Sequence, residues 1–258
     1  MQFLHNFGRA CFVPSISQMS SYVRSSLFEY IKSLDIFILD GLYGHPPTCL
    51  VIFRELPELA KHLVLRLLFI EQAIPKSIVS SWVSKEAQQS FTDSCKALTD
   101  LRIWHSVDSN VTRGSWRLNE KFQEFMKISL FGGGKAILSD MESHSIDKHS
   151  KDKEFLTIYA AERWDNILHF MVGSDSVEIG TIVRDVMSLS GLMRFSDTDI
   201  GITQQGFHFL LLDRSSQVLR LILHYFDYVR ENKLNLIEAI QLVFQLSFLS
   251  TDRPCNYS

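Results

Sequence analysis

Helices followed by a β-hairpin, in an order that occurs twice along the chain, predict a mainly α-helical protein with small hairpins. The reading is of tandem winged-helix-like domains behind an N-terminal helical segment. Two observations carry it. Apolar residues recur at helical spacing in long blocks, and each series of blocks ends where apolar residues alternate instead. The two series also align, Leu98 and Leu101 with Leu189 and Leu192, and Leu118, Asn119 and Phe125 with Ile202, Thr203 and Phe209. Such a match reads as diverged repeats of one supersecondary unit, the first with the longer hairpin.

In chain order, residues 1–25 carry Arg9 and Arg24, no acid and many serines; they read as a leader, expected to be poorly ordered. Residues 26–138 hold the N-terminal helices and the first winged-helix-like domain. Leu27, Ile31, Leu34 and Ile38 mark a helix pair. Gly41–Pro57 follows as a knuckle of Gly, His and Pro. Pro57 opens a helix at the position where a missing N–H costs nothing, with Leu59, Ala60, Leu63, Val64, Leu67 and Leu68 as its stripe. Ile74-Pro75 starts a shorter helix with Val79 and Trp82, and a third runs from about Lys85. Ile103, His105 and Val107 then alternate, as do Trp116 and Leu118, around a turn at Asp108–Gly114. Asn119 caps a helix that stops at Gly132-Gly133-Gly134.

Residues 139–153 read as a polar linker and 154–232 as the second winged-helix-like domain. Leu156, Ala160, Trp164, Ile167, Leu168 and Met171 form a stripe, Gly191 suits a helix C-terminus, and Leu192–Ser196 pairs with Ile200–Ile202. Thr203 caps a helix with Phe207, Leu210 and Leu211. Residues 233–258 begin with a capping box at Asn235-Leu-Ile-Glu238. The helix it opens is apolar nearly all round, which predicts the first helix of a truncated third domain that self-associates when left in water.

Composition narrows the function classes. An apolar share of 46% builds real cores, and 19 phenylalanines predict more apolar surface than the chain buries alone. A net charge of −3 gives no global pull toward phosphate or acidic lipid, so nucleic-acid contact would need a local patch. Cys11, Cys49, Cys95 and Cys255 form no CxxC pair, which argues against a zinc site and a disulfide framework. No apolar run reaches the roughly 18–20 residues of a membrane span.

No catalytic, cofactor or metal residue is predicted. Phe131-Gly-Gly-Gly-Lys135 lacks the P-loop pattern, with Ser129 and Ala136 where Gly and Ser or Thr belong. His144, Asp147 and His149 sit in the polar linker and read as solvated. His45 reads as capping or packing. Arg113 and Arg117 on the first wing are the candidates for weak double-stranded DNA contact. Residues 55–130 nevertheless balance base against acid, so protein contact is the more economical use of these modules.

The run Gly41-Leu-Tyr-Gly-His-Pro-Pro-Thr-Cys-Leu-Val-Ile-Phe-Arg-Glu-Leu-Pro57 resembles the family of 52-kDa subunits of general transcription factor IIH (TFIIH). So do Leu101-Arg-Ile-Trp-His105, Glu162-Arg-Trp164, His169-Phe-Met-Val-Gly-Ser174 and Gly206-Phe-His-Phe-Leu-Leu-Leu-Asp213. The resemblance implies a nuclear, non-catalytic subunit of the TFIIH core, serving RNA polymerase II initiation and nucleotide excision repair. It implies von Willebrand-type core subunits as partners. It places the XPB helicase, whose ATPase the family supports, and a very small subunit on a C-terminal half not matched here. No membrane or small-molecule partner is implied. Tyr43, His45, Phe53, Arg54, Trp104, Trp164 and Phe244 are the partner-interface candidates.

Overall fold

A computed structural model describes residues 21–107, 114–132, 151–173, 179–196, 199–246 and 248, with side chains from Leu27 onward. The chain divides into two compact units, residues 28–142 and residues 143–258 with 1–27. Among the described residues both are mainly helical, each with one small antiparallel sheet.

The first unit begins within α1 (Ser21–Lys32), at Phe28, and continues through α2 (Ile36–Leu42) into α3 (Pro46–Glu55) and α4 (Glu58–Leu67). The knuckle read from the sequence is half helix. Pro46 and Pro47 occupy the first turn of α3, where the backbone has no N–H to satisfy. The chain turns through 109° between α2 and α3, so the joint itself is only Tyr43–His45. Pro57 caps α4 from just outside its first turn, and Ala60, Leu63, Val64 and Leu67 of the predicted stripe are buried.

Ile74-Pro75 does not start a helix. It forms strand β1, pairing with Trp116 and Ser115, and the helix begins one residue later as α5 (Lys76–Ser81). After a 3₁₀ turn comes α6 (Gln88–Asp100), then β2 (Trp104–Val107) and β3 (Ser115–Leu118), giving the order β1-β3-β2. Alternation is broken at the base of β2, where Ile103 and Trp104 are both buried. Asn119 caps α7 (Glu120–Phe131) as its position predicts, accepting from the N–H groups of Lys121 and Phe122.

The second unit contains α8 (Lys153–Met171), α9 (Thr181–Leu189), β4 (Met193–Phe195), β5 (Ile200–Ile202), α10 (Gln204–Leu210), α11 (Arg214–Glu231) and α12 (Leu236–Leu246). Lys153, placed in the linker by its polarity, is the first residue of α8, with Asp152 as cap. Thr203 caps α10 by accepting from Gly206 N–H. The buried face of α10 is Gly206 and Phe209, whereas Phe207 and Leu211 point outward. The apolar α12 lays Leu236, Ala239, Ile240, Val243 and Phe244 into this unit and packs on α11.

Both hairpins are reached through the same turn. Ile103 N–H bonds to Leu98 C=O across left-handed Arg102 (φ 53°), and Leu192 N–H bonds to Met187 C=O across left-handed Gly191 (φ 66°). These are Schellman closures, the second N–H past the helix bonding back across its last turn. The return strands match too, with Asn119 N–H on Ile103 C=O and Thr203 N–H on Leu192 C=O. The backbone therefore equates Leu98 with Met187 and Ile103 with Leu192, correcting the leucine-based alignment by two residues at that end.

Candidate protein interface

Asp40, at the end of α2, is the hub of the first unit. Its carboxylate accepts from Arg102 Nη2 at 3.1 Å and Nε at 3.3 Å, and from Asn119 Nδ2 at 3.1 Å. It thereby ties the N-terminal helices to both ends of the hairpin. Three residues on, the fully buried Tyr43 donates its hydroxyl to Leu101 C=O and meets the Phe122 ring edge-on at 5.1 Å. Burial raises the Tyr43 pKa well above the ordinary phenol value, keeping the hydroxyl a donor. Burial likewise pushes the Cys49 thiol far up, leaving it unreactive against Tyr43 C=O at 3.4 Å. From α7, Ser129 Oγ reaches Pro46 C=O at 2.6 Å. His45 stands at the N-cap of α3 without a side-chain cap bond, its Nδ1 3.1 Å from Thr48 Oγ1. The Gly41–Pro57 run is thus held from behind on several sides. Every polar contact named here is structural.

The interface candidates divide by burial. Tyr43, Trp104, Trp164 and Phe244 lie in the cores. Trp104 stacks on Trp116 at 4.5 Å between ring centroids and donates to Thr99 Oγ1. Trp164 donates to Gln217 Oε1, while the Gln217 amide nitrogen serves the last carbonyls of α10. His45 and Phe53 are half-buried, and Arg54 is exposed. Of the DNA candidates, Arg117 is ion-paired to Glu120 at 2.7 Å. Arg113, like Gly133–Lys135, His144, Asp147 and His149, lies outside the described residues. Among the described residues no three His, Cys, Asp or Glu side chains gather as a metal site.

Sequence reasoning passed over the large apolar residues that remain in water. Phe37 at 85%, Phe69 at 65%, Phe131 at 66% and Leu211 at 84% are the most exposed of them. Phe69 and Phe131 form a pair at 5.6 Å, beside Ile70 and Leu130. Their signal was present, since Phe69 and Leu65 lie off the stripe of α4, but an apolar residue off a stripe does not announce what it meets. Surfaces of this kind on a chain with two well-packed cores suit protein association.

The chain is thus a mainly helical protein of two units with small hairpins, cores closed by structural hydrogen bonds and aromatic residues left in solvent. Residues 29–258 match the family described as Transcription factor Tfb2, and the chain belongs to that family. It is similar to the "General transcription and DNA repair factor IIH subunit TFB2" of Yarrowia lipolytica, 31% identical over 244 residues, covering 93% of this chain and 50% of that protein. The protein of the same name from Saccharomyces cerevisiae is 29% identical over 241 residues, covering 91% of this chain and 46% of its own length. "General transcription factor IIH subunit 4" of Dictyostelium discoideum is 27% identical, covering 89% and 53%. The chain spans about half the length of these relatives.

Proposed function

We propose that the chain is a non-catalytic scaffold subunit of the nuclear TFIIH core, acting in RNA polymerase II initiation and nucleotide excision repair. The observation that carries this is the family match over residues 29–258. In this reading the two hairpin-bearing units are winged-helix modules used for protein contact with the von Willebrand-type core subunits. Half-buried His45 and Phe53, with exposed Arg54, border the surface around α3. Tyr43, Trp104, Trp164 and Phe244 shape the units from within. On the same reading a whole subunit of the family would support the XPB ATPase and contact the small subunit; this chain spans about half the length of its relatives.

Co-purification tests the proposal. A tagged chain co-expressed with the other core subunits should retain them through size exclusion. Recovery of none by a chain with its helical circular-dichroism signal intact would overturn it. The DNA-binding alternative is weakened by the Arg117–Glu120 pair, which offsets the charge a phosphate would need. A mobility shift with duplex DNA, lost on Arg117→Glu, would revive it.

A further inference from the structure

Beside the Phe69–Phe131 pair, the first unit carries a strip in which aromatic rings alternate with cations. Arg66 on α4 places its guanidinium 5.3 Å from the Trp82 ring centroid. One turn on, Phe69 leans on Phe131, and Lys127 Nζ lies 5.6 Å from the Phe69 centroid. Ile70 and Leu130 flank the pair, both exposed. Among the described residues neither Arg66 nor Lys127 has a carboxylate within 4.0 Å, unlike Lys61, Arg102 and Arg117 in the same unit. The base beneath is rigid. Buried Gln123 on α7 sets its amide nitrogen 2.9 Å from Leu68 C=O, 3.0 Å from Ile70 C=O and 3.2 Å from Leu67 C=O. That one side chain fixes the end of α4, and with it the direction of Phe69.

We propose that this strip, Trp82–Arg66–Phe69–Lys127–Phe131, docks an acidic peptide segment bearing bulky apolar side chains. The apolar anchors would cover Phe69, Phe131 and Ile70, and the carboxylates would meet the two unpaired cations. Cations already parked on ring faces need little reorganisation to accept a carboxylate, and they stay attracted to the rings while doing so. Single-stranded nucleic acid fits less well. Base stacking needs an open ring face, whereas Lys127 and Arg66 occupy faces of Phe69 and Trp82. The inference rests on the chain being a docking scaffold and adds the chemistry of one partner. A direct peptide assay separates the two, because TFIIH subunits could be retained by other surfaces while this strip binds nothing.

Fluorescence anisotropy on the full chain tests it. The probe is a fluorescein-labelled peptide in which Asp and Glu alternate with Phe and Leu. Its controls are one with Lys for the acids, one with Ser for Phe and Leu, and labelled oligothymidine. The alternating acidic peptide should bind, and the controls should bind far more weakly. Arg66→Glu with Lys127→Glu should weaken binding about tenfold, two exposed ion pairs being worth a few-fold each. Phe69→Ser should do the same without loss of helical signal, and Lys233→Glu in the other unit should change nothing. No binding of the acidic peptide, equal binding of the Ser peptide, indifference to the charge reversal or preference for oligothymidine would each overturn the proposal.

Discussion

At Arg102 in the first unit and at Gly191 in the second, the chain leaves a helix through a left-handed residue and enters a strand. Glycine does this freely, while a residue with Cβ carries a cost of roughly 1–2 kcal/mol. In the second unit the turn is closed locally. Thr203 Oγ1, at the N-cap of the helix that follows the hairpin, donates to Gly191 C=O at 2.6 Å. In the first unit the turn carries an arginine, and Asp40 grips that arginine and Asn119 together. One backbone path is thus held locally in one unit and by the N-terminal helices in the other. The difference teaches where coupling lies. The hairpin of the first unit is tied by hydrogen bonds to Asp40 and Tyr43. That of the second meets its helices through the Phe195 ring, stacked on Phe170 at 6.3 Å with Arg184 5.6 Å from its centroid. A third left-handed residue, Lys233 (φ 54°) at the end of α11, has no ion pair among the described residues and supplies a reference for the uncompensated cost.

The largest expected effect falls in the turn of the second unit. A Cβ on Gly206 would collide with Leu192 C=O and the Ile202 side chain, both of them parts of the closure. Gly206→Ala should cost about 3 kcal/mol, seen as a lower urea midpoint with unchanged slope. Asp40→Ala should cost about 1–2 kcal/mol, discounted because Arg102 and Asp40 keep 39% and 31% side-chain exposure. Hydrogen exchange should rise at both ends of the first hairpin and not in the second. Lys233→Gly should stabilise by about 0.5–1 kcal/mol, read from the same urea curves.

The smallest effect is a pH dependence. Burial lowers the His224 pKa on α11, with Arg220 pushing the same way and Asp227 opposing. The unfolded chain therefore binds a proton near pH 6.5 that the folded chain still refuses. His224's contribution is complete above that value and is lost as pH falls through the window below it. His224→Gln should flatten that part of the pH–stability profile, and an unchanged profile would assign it elsewhere.

Caps and stripes could be read from sequence because they are local. Asn119 and Thr203 each satisfy N–H groups two to three residues away, and Ala60, Leu63, Val64 and Leu67 follow one period. Helix α3 follows the rule that places Pro57 at a helix start, with Pro46-Pro47 in its first turn, but the surrounding Gly and His give that run the look of a turn. Strand β1 gave no local sign, since two residues become a strand only through Trp116, far along the chain. The repeat slipped by two because recurring leucines were matched, whereas Arg102 is the counterpart of Gly191 and does not resemble it. Among the interface candidates, Tyr43, Trp104, Trp164 and Phe244 are large and aromatic, the same property that buries them. Which aromatic residue remains in water is decided by neighbours, as Phe69 and Phe131 show.

A double-mutant cycle on Arg102 and Asp40 tests most directly whether the first turn is held by the N-terminal helices. In the native background, Arg102→Gly relieves the left-handed strain but loses the pair, so stability should stay level or fall. In the Asp40→Ala background there is no pair to lose, and the same substitution should stabilise by about 0.5–1 kcal/mol, as at Lys233. Equal effects of Arg102→Gly in the two backgrounds would contradict the account, because Asp40 would then contribute nothing to holding that turn.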